Sequence, residues 1–324
     1  MDNFIDQSVK ALASAGVRLD SNETAFLERQ LTQLRTKTYD VVYGELLGRS
    51  MAPKATDIAS SANRYSYEVF DKTGAAKIGG NGVDDPPRID LEAREVFGDV
   101  YPLIASYGWD INAMREAIRT RVPLADKKAR ACRDAIELAI DDMIFLGRPE
   151  PDAGAASSIL TTGIANNAAV EAQGAVALTN WTLSTPVDTI QSEIYSLLTA
   201  IRNNSLQVFN GTVLGLPLAK YDVIAQLPVG VDNQTTILQS ILQNSPFLQS
   251  IVPWYKLNNQ GANGTGRAIA FQRDSNVLEA VIPQEFEQLP PQARNYEFVV
   301  PCHARCGGIK VYQPNGMIYG DFGA

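Results

Sequence analysis

Two segments contain residue types that bind phosphate or metal ions. Residues 261–266 include three glycines and resemble a phosphate-binding loop. They lie between two strand patterns with no helix after them, so no helix amides follow to hold a phosphate, and we expect a hairpin loop. Asp84 and Asp85 could begin a divalent-cation site, but the two prolines that follow leave no further ligand at a usable spacing. We expect a charged loop tip there.

The single histidine, His303, lies between Cys302 and Cys306. Two cysteines with three intervening residues lack the spacing of a zinc knuckle and have no partner pair. On a strand they would stand about 13 Å apart, too far for a disulfide, and Cys132 lies far along the chain in a helical pattern. We therefore expect free thiols in a reducing compartment and an ordinary strand histidine. The sequence predicts no catalytic residue, no metal site and no cofactor.

Composition and charge exclude several classes of protein. The chain has 324 residues, with 28 Lys and Arg against 36 Asp and Glu, a formal net charge of −8. Because nucleic-acid binding requires clustered cations, we do not expect such a surface as the main feature. Hydrophobic residues at 45% and charged residues at 20% are typical of a globular chain with a sizeable core. The sequence contains neither an apolar stretch of about 20 residues nor a signal-peptide pattern, so we expect no membrane contact and no secretion.

The first part of the chain predicts an arm and a ribbon. Residues 1–40 have the pattern of two short amphipathic helices, too small for a core of their own, which should pack on the same chain or on a neighbour. Strand patterns at residues 65–70 and 88–97 flank a glycine-rich segment and predict a two-stranded ribbon. Because this ribbon is highly charged, and an isolated ribbon is marginal in water, it should contact another subunit.

The strongest helix pattern covers residues 123–146, with an apolar stripe at i, i+3 and i+4 spacing. Its basic residues lie towards the start of the helix, and its acidic residues, except Asp126, lie towards the end. This order opposes the helix macrodipole. These residues are Lys127, Lys128, Arg130 and Arg133, followed by Asp134, Glu137, Asp141 and Asp142. Either solvent screens the charges or outside partners of opposite sign compensate them.

The second half of the chain is typical of one α/β domain. Helices are predicted at residues 186–202 and 234–242. Extended runs are predicted at residues 212–216, 222–227, 248–256, 267–273, 277–282, 296–301, 309–313 and 317–319. No segment recurs at the period of about 20–50 residues that repeat proteins show.

An arm, a protruding ribbon, a long helix and an α/β lobe favour a self-assembling subunit over a catalyst. Several segments, in their order, also resemble the major capsid proteins of tailed bacteriophages. They are residues 46–53, the ribbon with Gly74 to Ile78 and Asp84 to Pro87, the stretch Ser106-Tyr107-Gly108-Trp109 ahead of residues 111–120, the long helix, and residues 301–320. The resemblance covers roughly residues 38–324 and implies an α+β protein with the Hong Kong 97-like shell fold.

The resemblance implies four parts and a function. Residues 1–60 would be an N-terminal arm, 61–105 the extended E-loop, 106–165 with 296–324 the peripheral (P) domain with the long spine helix, and 166–295 the axial (A) domain. Family members assemble as hexamers and pentamers of an icosahedral head that encloses double-stranded DNA. This implies a virion protein assembled in the host cytoplasm. Its partners would be its own copies, a portal and decoration or scaffolding proteins, with at most non-specific DNA contact.

The charges of the ribbon and the long helix are the predicted subunit contacts. They are Lys72, Lys77, Asp84, Asp85, Arg88, Glu92, Arg94, Lys127, Arg130, Arg133, Glu137 and Asp141. Some relatives crosslink an E-loop lysine to a neighbour's asparagine, and Lys72 or Lys77 stands in that loop, but the chain does not identify the asparagine or the assisting glutamate. Because the chain begins at Met1, no processed prosegment is expected.

Two alternatives stay open. One is an encapsulin-like nanocompartment shell, similar in fold but with a cargo-peptide pocket and no genome. The other is a cytosolic hydrolase that uses His303, against which the missing acid and nucleophile argue.

Overall fold

The computed structural model describes residues 44–78, 88–112, 124–149, 159–230, 233–295 and 297–323. The predicted arm helices of residues 1–40, together with Asp84, Asp85 and Pro123, lie outside these ranges. Residues Leu46–Ala324 form one unit by their contacts. Within the described ranges, no helix is long and apolar enough to span a bilayer.

The described residues form both helices and strands. The α-helices are α1 (Gly48–Met51), α2 (Leu124–Phe145), α3 (Ala168–Glu171), α4 (Val187–Asn204), α5 (Leu218–Gln226) and α6 (Ile237–Asn244). The strands are β1 (Arg64–Thr73), β2 (Asp90–Asp99), β3 (Tyr101–Asp110), β4 (Gly147–Pro149), β5 (Ile159–Thr162), β6 (Val176–Leu178), β7 (Val213–Leu216), β8 (Pro228–Gly230), β9 (Asn233–Thr236), β10 (Ser250–Pro253), β11 (Arg267–Phe271), β12 (Leu278–Val281), β13 (Gln284–Gln288), β14 (Gln292–Arg294), β15 (Glu297–Cys306), β16 (Gly308–Val311) and β17 (Met317–Phe322). Short 3-10 helices cover Tyr255–Asn259, Ala262–Gly264 and Pro314–Gly316.

A five-stranded sheet in the order β10-β7-β11-β17-β6 separates two hydrophobic cores. Successive side chains of a strand point to opposite faces. In β11, Ala268 and Ala270 belong to the core that contains α4, α5 and α6, whereas Ile269 and Phe271 belong to the core that contains α2. Because both faces are covered, all five residues of β11 are buried.

A four-stranded sheet built around β15 lies against α2. β3 pairs with β15 along its whole length, from Asp110 opposite Glu297 to Tyr101 opposite Cys306, and β13 and β14 also pair with β15. The apolar stripe of α2 shares one core with the inward side chains of β15. Just beyond the helix, Gly147 has a φ of +78°, and a Cβ there would lie 1.6 Å from the Thr161 carbonyl oxygen. Only glycine therefore fits at this position, where the chain leaves the helix.

The ribbon of β1 and β2 is anchored at its base and exposed along its length. The strands pair antiparallel from Arg64 opposite Asp99 onward. The Tyr65 ring covers Gly98, where a Cβ would lie 2.3 Å from the ring. Tyr67 packs edge-on against Tyr312 of the main body, with ring centroids 4.8 Å apart. Residues beyond this anchor are mostly exposed, so the ribbon has little to bury within its own chain.

The structure confirms the predicted ribbon, the long helix and the helix at residues 187–204. The strand prediction at residues 222–227 was wrong, because Pro217 presets the backbone for a helix start and α5 continues to Gln226. The hairpin prediction at residues 261–266 was also wrong, since β10 and β11 lie on opposite sides of β7. The closing strand β17 pairs with β11 and β6, both from the segment that the resemblance assigned to the A domain.

Candidate subunit-contact surface

His303 lies half-buried on β15, as the strand pattern predicted. The Gln284 side-chain amide donates to His303 Nε2 at 2.9 Å, and Glu287 Oε2 lies 3.7 Å from the same nitrogen. Within the part of the chain that the structure describes, no three His, Cys, Asp or Glu side chains group as metal ligands would. The predicted subunit-contact residues that the structure describes lie on or beside two elements, the ribbon and α2.

The ribbon places like charges directly opposite one another. Glu68 faces Glu95 across the two strands, and Asp71 faces Glu92. All four side chains are exposed, and opposed like charges destabilise a strand pair. Along both strands, six acidic residues stand against three basic ones. Cations from outside the ribbon would therefore stabilise it.

One face of the ribbon is also apolar. Because side chains alternate, Glu68, Phe70, Leu91, Glu95 and Phe97 project from the same face, which we call the ribbon face. Phe70, Leu91 and Phe97 are 61%, 66% and 54% exposed. Removing such a side chain from water stabilises a contact by up to about 1.5–3 kcal/mol. Exposed apolar side chains between charged ones are typical of a protein–protein contact.

The remaining predicted ribbon residues are accessible where the structure describes them. Lys72 lies opposite Leu91 on the ribbon face, and Arg94 lies on β2. Lys77 follows β1 and Arg88 precedes β2, and all four of these side chains are exposed.

The basic start of α2 is a second accessible surface. Arg130 and Arg133 are exposed and Lys127 is half-buried, and we call these three residues the basic patch. Residues three apart are neighbours on a helix, so the patch runs along one side of α2. Lys128 has a different role, because it donates to the Gly108 carbonyl at 2.6 Å and joins α2 to β3.

The acidic end of α2 finds its partners within the chain. Asp141 is 2% exposed, accepts from the Gly48 amide at 2.6 Å and pairs with Lys256. Lys256 also donates to Asp142 Oδ1 at 2.6 Å. Burial opposes the charge of Lys256, but the hydrogen bonds and charges of the two aspartates outweigh it and raise the pKa of Lys256. This cation offsets acidic groups that the helix macrodipole disfavours at a C-terminus.

Glu137 takes part in a network that crosses three elements. Arg49 Nη2 lies 2.9 Å from Glu137 Oε2, and Arg49 Nη1 lies 2.5 Å from Glu285 Oε2. Lys54 Nζ lies 2.5 Å from the other Glu285 oxygen. Burial opposes the charge of Glu285, but Lys54 and Arg49 outweigh it and hold the pKa of Glu285 below its ordinary value. Glu137 and Asp141, both predicted as subunit contacts, thus bind residues of their own chain.

Sequence reasoning missed Arg49, Lys256 and Glu285. Arg49 and Lys256 reach α2 from distant parts of the chain, and Glu285 joins the network through Arg49. The one available signal was the unfavourable charge order of α2, which requires cations from elsewhere. From the sequence, we expected solvent or outside partners to offset the charges of α2. The structure instead shows partners within the chain for Glu137, Asp141 and Asp142.

The described residues combine an exposed ribbon, a long helix against a four-stranded sheet, and a five-stranded sheet between two cores. Residues 74–322 match the family model for the major capsid protein. The chain belongs to the major capsid protein family and is a structural protein of a capsid.

Solved capsid structures share the fold. The capsid of Myoviridae phage XM1 has a TM-score of 0.79 at 16% identity, covering 95% of this chain and 99% of that one. A structure from Mycobacterium phage Adephagia has a TM-score of 0.61 at 10% identity, covering 95% and 99%. The virus-like particle from Pyrococcus furiosus has a TM-score of 0.50 at 12% identity, covering 84% and 91%. No curated protein matches the chain. The family match favours a capsid protein over a nanocompartment shell or a hydrolase.

Proposed function

We propose that the chain assembles as hexamers and pentamers of an icosahedral head that encloses double-stranded DNA. The family and the capsid folds it resembles support a shell role. One observation supports the finer proposal. Each copy of the chain presents two accessible surfaces of opposite charge, the acidic and apolar ribbon face and the basic patch of α2. Such surfaces are complementary between copies.

The contact is of the head-to-tail kind. If the ribbon face of one copy covers the basic patch of the next, each copy uses two different surfaces, and a rotation that closes gives a ring. Arg130 and Arg133 would approach the opposed pair Glu68 and Glu95, whose repulsion they would relieve. Exposed ion pairs contribute about 0–1 kcal/mol each, so buried Phe70 and Leu91 would supply much of the affinity.

The remaining parts of the proposal follow the shell role. Residues 1–60 are the N-terminal arm, 61–105 the E-loop, 106–165 with 296–324 the P domain with the spine helix, and 166–295 the A domain. The chain would act without catalysis, assemble in the host cytoplasm and meet portal and scaffolding or decoration proteins. A net charge of −8 fits DNA contact that is non-specific at most.

Electron microscopy of purified particles tests the proposal. We expect closed shells with icosahedral symmetry, whose virion form protects double-stranded DNA from added nuclease. Treating disrupted particles with the same nuclease is the control, and the DNA should then be digested. Open tubes, small discrete oligomers or virion shells without protected DNA would contradict the proposed head.

A further inference from the structure

A groove with a mostly apolar lining lies beside the second half of α4. It runs between the helix side chains Tyr195, Leu198 and Arg202 and the loop that contains Ser245 and Phe247. The groove holds about 140 Å³, which is room for one apolar group of about the size of benzene. We call it the α4 groove.

Two groups of the α4 groove lack partners among the described residues. Ser245 is 9% exposed, and its buried hydroxyl has no hydrogen-bond partner there. Arg202 is half-buried, and its guanidinium carbon lies 5.6 Å from the centre of the Phe247 ring. No acid of the described chain pairs with this guanidinium. An occupant that brings a hydrogen-bond acceptor and a carboxylate would therefore stabilise both groups.

The turn before α4, residues 182–185, presents complementary groups, and we call it the Leu183 turn. Leu183 is 60% exposed at its tip. The turn is closed by two hydrogen bonds, since the Thr182 amide donates to Thr185 Oγ1 at 2.9 Å and the Thr185 amide donates to the Thr182 carbonyl at 3.0 Å. Asp188, in the first turn of α4, is exposed and pairs with no described cation. A turn that is already ordered loses little entropy on binding.

We propose that the Leu183 turn of one copy occupies the α4 groove of the next copy, with Asp188 beside Arg202. This inference rests on the proposed assembly into shells. Asp188 and Arg202 cannot pair within one chain, because both lie on α4 and the helix between them is about 21 Å long. Each finds its complement only on another copy. Since every copy presents one turn and one groove, the contact is head-to-tail and can close as a ring.

Charge selects this occupant over the other exposed apolar segment near α4. Leu206 and Val208, just beyond the helix, are 86% and 67% exposed. Residues 202–210 contain no acid, so this segment brings no carboxylate to Arg202. The Leu183 turn offers both a leucine and a nearby aspartate.

Disulfide trapping in the full chain tests the contact. Thr199 lines the α4 groove and is exposed, so shells of the variant Leu183→Cys with Thr199→Cys are oxidised with copper phenanthroline and resolved without reduction. We expect a ladder of linked chains that extends beyond the dimer. Each single variant should stay monomeric, because the three native cysteines are buried.

The outcomes separate this inference from the proposed function. Shells of the double variant that give only monomers would overturn the inference and leave the proposed shell in place. Dimers alone would also overturn it, because they indicate a symmetric contact through another surface. A parent chain that forms no shells would overturn both.

Charge exchange is a second measurement that needs no cysteine. Asp188→Lys and Arg202→Glu should each raise the critical concentration for assembly by up to about fivefold, and their combination should restore much of the loss. Asp222→Lys is the matched control, since Asp222 is exposed on α5, does not line the groove and changes the net charge equally. The inference fails if the combined variant assembles no better than either single one, or if Asp222→Lys is as impaired as Asp188→Lys.

Discussion

At the scale of single residues, one buried cation joins separate parts of the fold. Lys256, from the 3-10 helix after β10, reaches both aspartates near the end of α2, and its side chain is 10% exposed. Asp141 also accepts from Gly48, where a Cβ would lie 2.7 Å from the carboxylate oxygen. The glycine, the aspartate and the lysine therefore depend on one another, although they are far apart in sequence.

Neutralising the two aspartates should have unequal effects. Asp141→Asn keeps the size of a 2% exposed side chain but removes its charge from the buried pair, and we expect a loss of about 3 kcal/mol of stability. Asp142 is 53% exposed, so Asp142→Asn should cost about 1 kcal/mol or less. Chemical denaturation of both variants measures the difference. Equal losses would show that Lys256 does not depend on the buried partner.

The ion pairs of Glu285 predict that the stability of the fold falls in acid. Lys54 and Arg49 hold the pKa of Glu285 below its ordinary value of 4.5, so its ion pairs stabilise the fold above that pH. This stability is lost as the pH falls through the depressed folded pKa. The thermal midpoint of the parent should exceed that of Glu285→Gln at neutral pH, and the two should converge in acid. A constant difference between the two proteins across this range would contradict the network.

At the scale of elements, the ribbon should serve assembly and not folding. Deleting residues 73–85 and joining the strands by a short turn removes the end of β1 and the segment after it, and leaves both cores and the Tyr67–Tyr312 anchor in place. We expect a folded monomer with a nearly unchanged thermal midpoint and no shells by sedimentation. Normal shells from this protein would show that the ribbon tip is not an assembly element.

Local patterns predicted some elements well and others poorly. The long helix and the ribbon were predictable because their periodicity extends over many residues. The short helix α5 was not, since a few apolar residues fit either structure and Pro217 decided between them. The contact of Asp141 with Lys256 leaves no local signal because it joins distant segments. The basic patch could be predicted from its charges. Glu68, Phe70, Glu95 and Phe97 of the ribbon face were not among the predicted contacts, and the predicted Glu92 and Arg94 lie on the other face of the ribbon.

At the scale of the whole molecule, assembly should depend on salt. Exposed charges more than about 8 Å apart are screened at physiological ionic strength, so added salt weakens their attraction. Light scattering should show slower assembly of purified subunits as salt increases, while the apolar contacts keep finished shells intact. Assembly rates that do not change with salt would leave apolar burial as the only driving force.

Charge exchange gives the matched control for the salt series. Arg130→Glu with Arg133→Glu should slow assembly, and so should Glu68→Lys with Glu95→Lys. Combining all four substitutions reverses both surfaces and should restore part of the rate. If the combined variant assembles no better than either pair, these residues do not face one another between subunits.

A cryo-electron microscopy reconstruction of shells assembled from the full chain tests the central claim most directly. The account predicts that the ribbon face of one subunit covers Arg130 and Arg133 of its neighbour, with Phe70 and Leu91 removed from water. A closed shell in which the ribbon folds back on its own subunit, or projects into solvent away from any α2, would contradict it.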